Sequence, residues 1–270
     1  MNKVILITGA SSGMGKETAK LLVKSGYTVY AAARRTALMN DIEEMGCKII
    51  SMDVTEEDTM VKGIAAIIAA EGRIDVLINN AGFGAYGAVE DVTLKDARYQ
   101  LEVNLFGASR LIQLVIPHMR AQHSGKIINI SSVGGRFATP LGGWYHASKF
   151  AMEGLSDSLR TELKPFGIDV VVIQPGGVQS EWADIAMDNL IKVSEGSPYQ
   201  PLAGQFVALS KREGGKAAKP IVIARLIQRA IEAVNPKTRY SGGYLAGLLL
   251  FLNRVLPDRL MDRVLTSQFN

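Results

Sequence analysis

The chain has 270 residues, 47% of them hydrophobic and 21% charged, with a formal net charge of +4. These values exclude a disordered or low-complexity chain, and basic residues spread along the sequence argue against nucleic-acid binding. The lone cysteine, Cys47, permits no disulfide within the chain and fits a reducing, cytoplasmic setting.

Short β-branched runs alternate with helical patterns from the first residues onward. "KVILITG" (3–9) reads as a buried strand ended by glycine, not as a signal peptide. Further strands are predicted at 28–34, 47–54, 74–82, 125–132 and 168–176. Amphipathic segments lie between them near 14–25, 37–45, 56–71, 93–120 and 148–164. Strands alternating with helices predict an α/β fold, a central parallel sheet with helices on both faces. No linker interrupts the pattern, so residues 1–270 are read as one domain.

Beyond residue 176 the pattern becomes irregular, with several prolines and glycines. Residues of about 180–220 follow a strand end, where open α/β sheets bind ligands, so this stretch is expected to cover the site. A helix follows near 220–234, then an apolar extension at about 240–270. Its stretch "YLAGLLLFLNRVLP" is shorter than the roughly 20 residues a bilayer span needs. Packing onto the core or over the site is the expected role, rather than contact with a membrane surface. The basic cluster Lys211, Arg212, Lys216 and Lys219 is broken by Gly214 and Gly215 and reads as a solvated loop. No group of His, Cys or carboxylate residues has metal-ligand spacing, so no metal is expected.

The first strand runs into "TGASSGMG", with Gly9, Gly13 and Gly15 at a strand-to-helix turn. Such glycines let the backbone approach a pyrophosphate, and the helix N-terminus favours its charge. At the second strand's end an Asp or Glu would suit the ribose of NAD, whereas arginine suits the 2′-phosphate of NADP. Ala33 stands in the acid's place, followed by Arg34 and Arg35. Lys16, in the first turn of the helix, could add charge. Asp53 shows no charged partner in the sequence.

Tyr145 and Lys149 are spaced i, i+4, on one helix face. A tyrosine with a pKa of roughly 10 is a poor base near neutrality. A neighbouring positive charge lowers that pKa by favouring the phenolate, and Lys149 is spaced to supply it. Ser132 ends the fifth predicted strand. Adjacent strand residues face opposite ways, so only one of Ser131 and Ser132 should face a site.

"TGASSGMG", "NNAG" (79–82), "YHASK" (145–149) and "PGG" (175–177) occur in order up to about residue 180. Together they resemble the short-chain dehydrogenase/reductase family. The resemblance implies a single-domain doubly wound Rossmann fold and hydride transfer between nicotinamide and an alcohol or carbonyl. It implies Asn104, Ser132, Tyr145 and Lys149 as the catalytic group. Tyr145 would be the acid/base, Ser132 would orient the substrate oxygen, and Asn104 would anchor a water that links Lys149 to solvent. Cofactor contacts are implied for Gly9, Ser11, Ser12, Gly13, Met14 and Gly15, and for Arg34 at the phosphate. Asp53 and Val54 are expected at the adenine, with Asn80, Ala81, Gly82, Pro175 and Gly176 along the groove. Tyr145 and Lys149 are expected at the nicotinamide ribose, with Val178 at the carboxamide. Ser180 stands where the family often has threonine.

Within that family the text "NLFG", "YHASKFAMEGLSDSLRTEL" and the apolar tail look most like the 17β-hydroxysteroid and retinol dehydrogenase branch. That implies NADP(H) as cofactor and a steroid-, retinoid- or lipid-like alcohol, ketone or aldehyde as substrate. Trp144, Phe137, Leu141, Trp182 and Met187 are expected to line an apolar pocket. The family's usual assembly implies a homodimer or homotetramer through helices near 104–120 and 149–164. The alternative reading is a non-catalytic NADPH-binding regulator, but the intact Tyr145 and Lys149 weigh against it.

Overall fold

The strand Val4–Thr8 (β1) sends Ile5 and Ile7 into one hydrophobic core and Val4 and Leu6 into another. A strand buried on both faces requires a helical layer on each side. The computed structural model, which describes residues 2–269, supplies both layers. After β1 come α1 (Gly13–Lys24), β2 (Thr28–Ala33), α2 (Asn40–Glu44), β3 (Lys48–Ser51), α3 (Glu57–Glu71) and β4 (Val76–Asn79). Then follow α4 (Leu94–Leu101), a π-turn (Glu102–Phe106), α5 (Gly107–Ala121), β5 (Gly125–Ile130), α6 (Gly143–Leu163) and β6 (Ile168–Pro175). The chain ends with α7 (Glu181–Val193), α8 (Gln200–Gly214), α9 (Ile221–Glu232), β7 (Arg239–Gly242), α10 (Ala246–Val255) and α11 (Asp258–Thr266).

The strands form one parallel sheet in the order β3-β2-β1-β4-β5-β6-β7. On one face, Leu22 of α1, Ile42 of α2 and Ile223 and Ile227 of α9 pack against Ile5, Ile7 and Val29. On the other, Ile64 and Ile67 of α3, Leu111 and Val115 of α5 and Leu159 of α6 pack against Leu6, Leu77 and Ile127. This is the expected doubly wound α/β architecture. The strand order reverses between β1 and β4, and the carboxyl ends of that pair open the crevice where such sheets bind ligands.

Three elements depart from the sequence expectations. β7 is absent from the predicted strands because "RYSG" carries no apolar run, and only Tyr240 of its four residues is buried. The stretch read as irregular forms α7 and α8, with Pro201 in the first turn of α8, where proline starts a helix rather than breaking one. The predicted helix at 93–120 is interrupted by the π-turn around Asn104. No described helix is long and apolar enough to cross a membrane.

Candidate active site

The glycine turn follows β1 directly. Gly9 and Gly13 take positive φ, at 67° and 55°. Gly15 is fixed by contact: a Cβ there would lie 2.3 Å from the Gly9 carbonyl oxygen and 2.4 Å from Asn80 Nδ2. Asn80 closes the turn from the neighbouring strand end, donating through Nδ2 to the Thr8 carbonyl at 2.9 Å and the Gly9 carbonyl at 3.2 Å. Two strand ends are thus locked together, with the N-terminus of α1 aimed between them.

Ser132 extends from β5 into a single 3-10 turn, Val133–Gly135, and its Oγ accepts from Gly134 N at 3.0 Å. The same hydroxyl hydrogen-bonds the Tyr145 phenol, which lowers the phenol's pKa against the larger effect of burial. The Ser131 hydroxyl is buried beside Gly135, where an added Cβ would lie 2.7 Å from it. His146 does not meet the cavity. Its Nδ1 pairs with the Gly134 carbonyl at 2.9 Å and its Nε2 accepts from Thr139 N at 3.0 Å, bracing the loop that carries Ser132.

Tyr145 and Lys149 lie in the first two turns of α6, and both are buried. Lys149 Nζ donates to the Ile130 carbonyl at 2.9 Å and stands 5.9 Å from the Tyr145 ring centroid. Burial pushes Tyr145 up to about 12 and Lys149 down to about 8. The expected lowering of the tyrosine pKa by Lys149 is therefore not seen. The ammonium is directed at a carbonyl, and loss of water around the phenol outweighs the hydrogen bond from Ser132.

Asn104 sits on the π-turn, a rare one-residue insertion common at functional sites. Its Oδ1 accepts from Phe83 N at 3.0 Å, while Nδ2 donates to the Phe83 carbonyl at 2.9 Å and to Ser148 Oγ at 3.0 Å. Ser148 in turn donates to the Tyr145 carbonyl at 2.7 Å. Asn104 thereby ties the loop after β4 to the first turns of α6. Gly82 separates it from the lysine: a Cβ on Gly82 would lie 3.2 Å from Asn104 Oδ1 and 3.7 Å from Lys149 Nζ.

One cavity of about 1110 Å³ joins these parts. Gly9, Ser11 to Gly15, Arg34, Asp53, Val54, Asn80 to Gly82, Pro175, Gly176, Val178 and Ser180 all line it. Ser132, Tyr145 and Lys149 line it as well, whereas Asn104 stands behind the wall. The turn fits a dinucleotide diphosphate, because Gly15 leaves no side chain between the helix N-terminus and the bottom of the groove.

The arginines divide. Arg34 donates to the Tyr99 hydroxyl at 2.9 Å and lies 3.6 Å from Asp53, so Asp53 does have a charged partner. Arg35 reaches Ser12 Oγ at 3.3 Å and Glu181 of α7 at 3.4 Å. Lys16 adds no free charge to the groove, since it pairs with Asp41 at 2.7 Å and donates to the Leu38 carbonyl.

The apolar end is built differently from the sequence expectation. Trp182 and Met187 of α7 line the cavity, but Trp144, Phe137 and Leu141 do not. Phe137 packs with Val133 and Met261, and Leu141 packs beneath Tyr86. The Trp182 ring lies 5.2 Å from Tyr145 and 6.0 Å from Tyr86, which also packs 5.5 Å from Tyr145 and 5.8 Å from Phe206 of α8. Tyr86, Phe206 and Glu181 escaped the sequence reading. An aromatic among glycines directly after "NNAG", in "FGAYG", was the available signal for Tyr86.

Comparison with known proteins agrees with this arrangement. Residues 3–189 match the short chain dehydrogenase family. The chain is 36% identical to the 3-ketodihydrosphingosine reductase of Bacteroides thetaiotaomicron, covering 97% of this chain and 96% of that protein. It is 33% identical to mouse 17-beta-hydroxysteroid dehydrogenase type 1, covering 88% of this chain and 72% of that one. A short-chain dehydrogenase structure from Streptomyces avermitilis superposes with a TM-score of 0.79 at 30% identity, over 100% of this chain and 97% of its own.

Proposed function

The chain belongs to the short-chain dehydrogenase family of oxidoreductases, and on that premise we propose that it is an NADP(H)-dependent reductase of apolar ketones or aldehydes. The supporting observation is a single cavity with the glycine turn and Arg34 at one end and Ser132, Tyr145 and Trp182 at the other. NADPH, when bound, supplies hydride to the carbonyl carbon, and NADP⁺ takes it back in the reverse direction.

The protein's own residues handle the proton. With its pKa raised to about 12 by burial, Tyr145 is a phenol at neutral pH and gives its proton to the carbonyl oxygen. Ser132 donates a hydrogen bond to the same oxygen, holding it within reach of the phenol. The buried Lys149, held at the Ile130 carbonyl, would hydrogen-bond the nicotinamide ribose and so fix the nicotinamide beside the phenol. Asn104 supports a water beside Gly82 that carries protons between Lys149 and solvent.

At the other end, backbone N–H groups of the turn and the N-terminus of α1 hold the diphosphate. Arg34 binds the 2′-phosphate, and an exposed guanidinium held only by Tyr99 and a long Asp53 contact can turn to do so. Asp53 and Val54 adjoin the adenine, and Val178 and Ser180 adjoin the carboxamide. Trp182, Ile185, Met187 and Val207 on the cavity wall favour an apolar substrate of steroid, retinoid or long-chain lipid type. The names of the two relatives point the same way. Self-assembly is proposed through α5 and α6, where Phe106, just before α5, and Phe150 are exposed.

The test is a panel of steroid, retinoid and long-chain ketones and aldehydes with NADPH or NADH, read by loss of absorbance of the reduced nicotinamide. Turnover of apolar carbonyls with NADPH supports the reading. Turnover confined to small polar carbonyls would overturn the substrate class.

A further inference from the structure

We propose that the outer face of α10, with the arginines around it, docks on an anionic lipid bilayer surface. The inner face of this helix is accounted for: Leu249, Leu250 and Leu252 pack toward Val133, Phe137 and Met261. The outer face of a surface helix is ordinarily polar. Here Leu248, Phe251 and Val255, at spacings i, i+3 and i+7, are 52%, 60% and 53% exposed. Leu245 before the helix and Leu260 on α11 extend the apolar strip.

Arginines surround that strip. Arg254 lies on α10, Arg259 and Arg263 lie one turn apart on α11, and the Arg136 carbonyl receives the Asn253 side chain at 3.0 Å. None of the four makes an ion pair with another described residue. Asp258 and Asp262 share α11 but fall on the helical stripe beside that of Arg259 and Arg263. An apolar face rimmed by arginine is the composition of a helix that lies in a membrane interface, its leucines and phenylalanine below the headgroups and its cations against anionic ones. A two-fold pairing of this face with a second copy would set one arginine rim against another, which like charges oppose. Anionic lipid is therefore the better occupant.

The position of the helix adds to this. α10 begins two residues after Tyr244, which lines the cavity, and the chain returns at Phe269 to stack on Phe206 at 5.5 Å. The α10–α11 pair thus begins beside a cavity residue and ends on α8, the helix whose Val207 and Ser210 line the cavity. Vesicle binding requires no turnover, so this proposal stands or falls separately from the catalytic one.

The test is co-sedimentation of the full chain with phosphatidylcholine vesicles, with and without phosphatidylserine. Wild type should bind the anionic vesicles at least about tenfold better than neutral ones, and high salt should weaken the binding. Phe251→Glu should lose at least about tenfold, because a carboxylate replaces the central apolar contact. The triple change Arg254→Gln, Arg259→Gln and Arg263→Gln lies wholly on the surface, and should remove the preference for anionic lipid even if Phe251→Glu fails to fold. Equal binding to both vesicles, or undiminished binding by the triple variant, overturns the proposal. So does a wild type that ignores vesicles but changes oligomeric state on Phe251→Glu, which assigns the face to a second copy.

Discussion

Lys149 stands below the Tyr145 ring, its ammonium 5.9 Å from the ring centroid and hydrogen-bonded to the Ile130 carbonyl rather than to the phenol. A buried cation and a buried phenol one helical turn apart destabilise opposite forms. Burial disfavours the ammonium and disfavours the phenolate, so the two pKa values shift toward neutral side chains.

That arrangement sets a stability prediction. Lys149 has a folded pKa of about 8 against 10.5 for the free group. The cost of burying its charge is fully present below pH 8, shrinks between 8 and 10.5, and vanishes above. The gap corresponds to about 3 kcal/mol. Lys149→Met removes the charge but leaves the Ile130 carbonyl unpaired, a loss of about 1 kcal/mol. The variant should therefore melt about 4 °C above wild type at neutral pH while losing activity. Thermal melts from pH 7 to 10 check this, and an advantage that grows with pH would contradict the linkage.

The same shifts govern rate. A phenol that stays protonated should keep carbonyl reduction nearly flat from mildly acid pH up to about 8, where Lys149 begins to lose its charge. Alcohol oxidation needs the phenolate, so its rate should climb with pH throughout the range below about 12. Initial rates in both directions, measured under saturating cofactor, check the pair of profiles. Oxidation that peaks in acid would contradict the assignment of Tyr145.

Arg34→Asp should lower the NADPH-to-NADH preference in kcat/KM at least about tenfold, since the new carboxylate repels a 2′-phosphate and suits a free ribose hydroxyl. Steady-state kinetics with both cofactors measure the ratio. An unchanged ratio would assign the phosphate to Arg35, which already bridges Ser12 and Glu181.

Trp182→Ala removes the ring packed 5.2 Å from Tyr145. It should raise KM for a long apolar ketone by about tenfold, the scale of about 1.4 kcal/mol, and leave a small ketone nearly unaffected. Equal changes for both substrates would mean that Trp182 braces α7 without meeting the substrate.

Much of this was legible because the informative residues are local. The turn at Gly9 to Gly15 announces itself through spacing, and β1, β4 and β5 through runs of Ile, Leu and Val that are buried on both faces. Tyr145 and Lys149 share a helix, so their proximity follows from their spacing. What escaped depends on distant contacts. No spacing rule places Phe206 beside Tyr86 or Arg34 beside Asp53, and the charge pattern around Lys16 gave no sign that Asp41 would capture it. Phe137 and Leu141 misled because nearness to Tyr145 in sequence does not bring a residue to the cavity: Phe137 packs under the C-terminal helices, and Leu141 is buried in the cluster that holds Tyr86 and Tyr145. The π-turn at Asn104 escaped because a single extra residue in a helix leaves the apolar repeat almost unchanged.

The central claim is that the Tyr145 phenol is the proton donor in a hydride-transfer reaction. Tyr145→Phe deletes one hydroxyl and keeps the ring against Tyr86 and Trp182. The direct measurement is NADPH binding and single-turnover reduction of an apolar ketone by this variant. Binding within about twofold of wild type and a reduction rate down by about a hundredfold or more, as for loss of a general acid, is the predicted result. Reduction at the wild-type rate would contradict it.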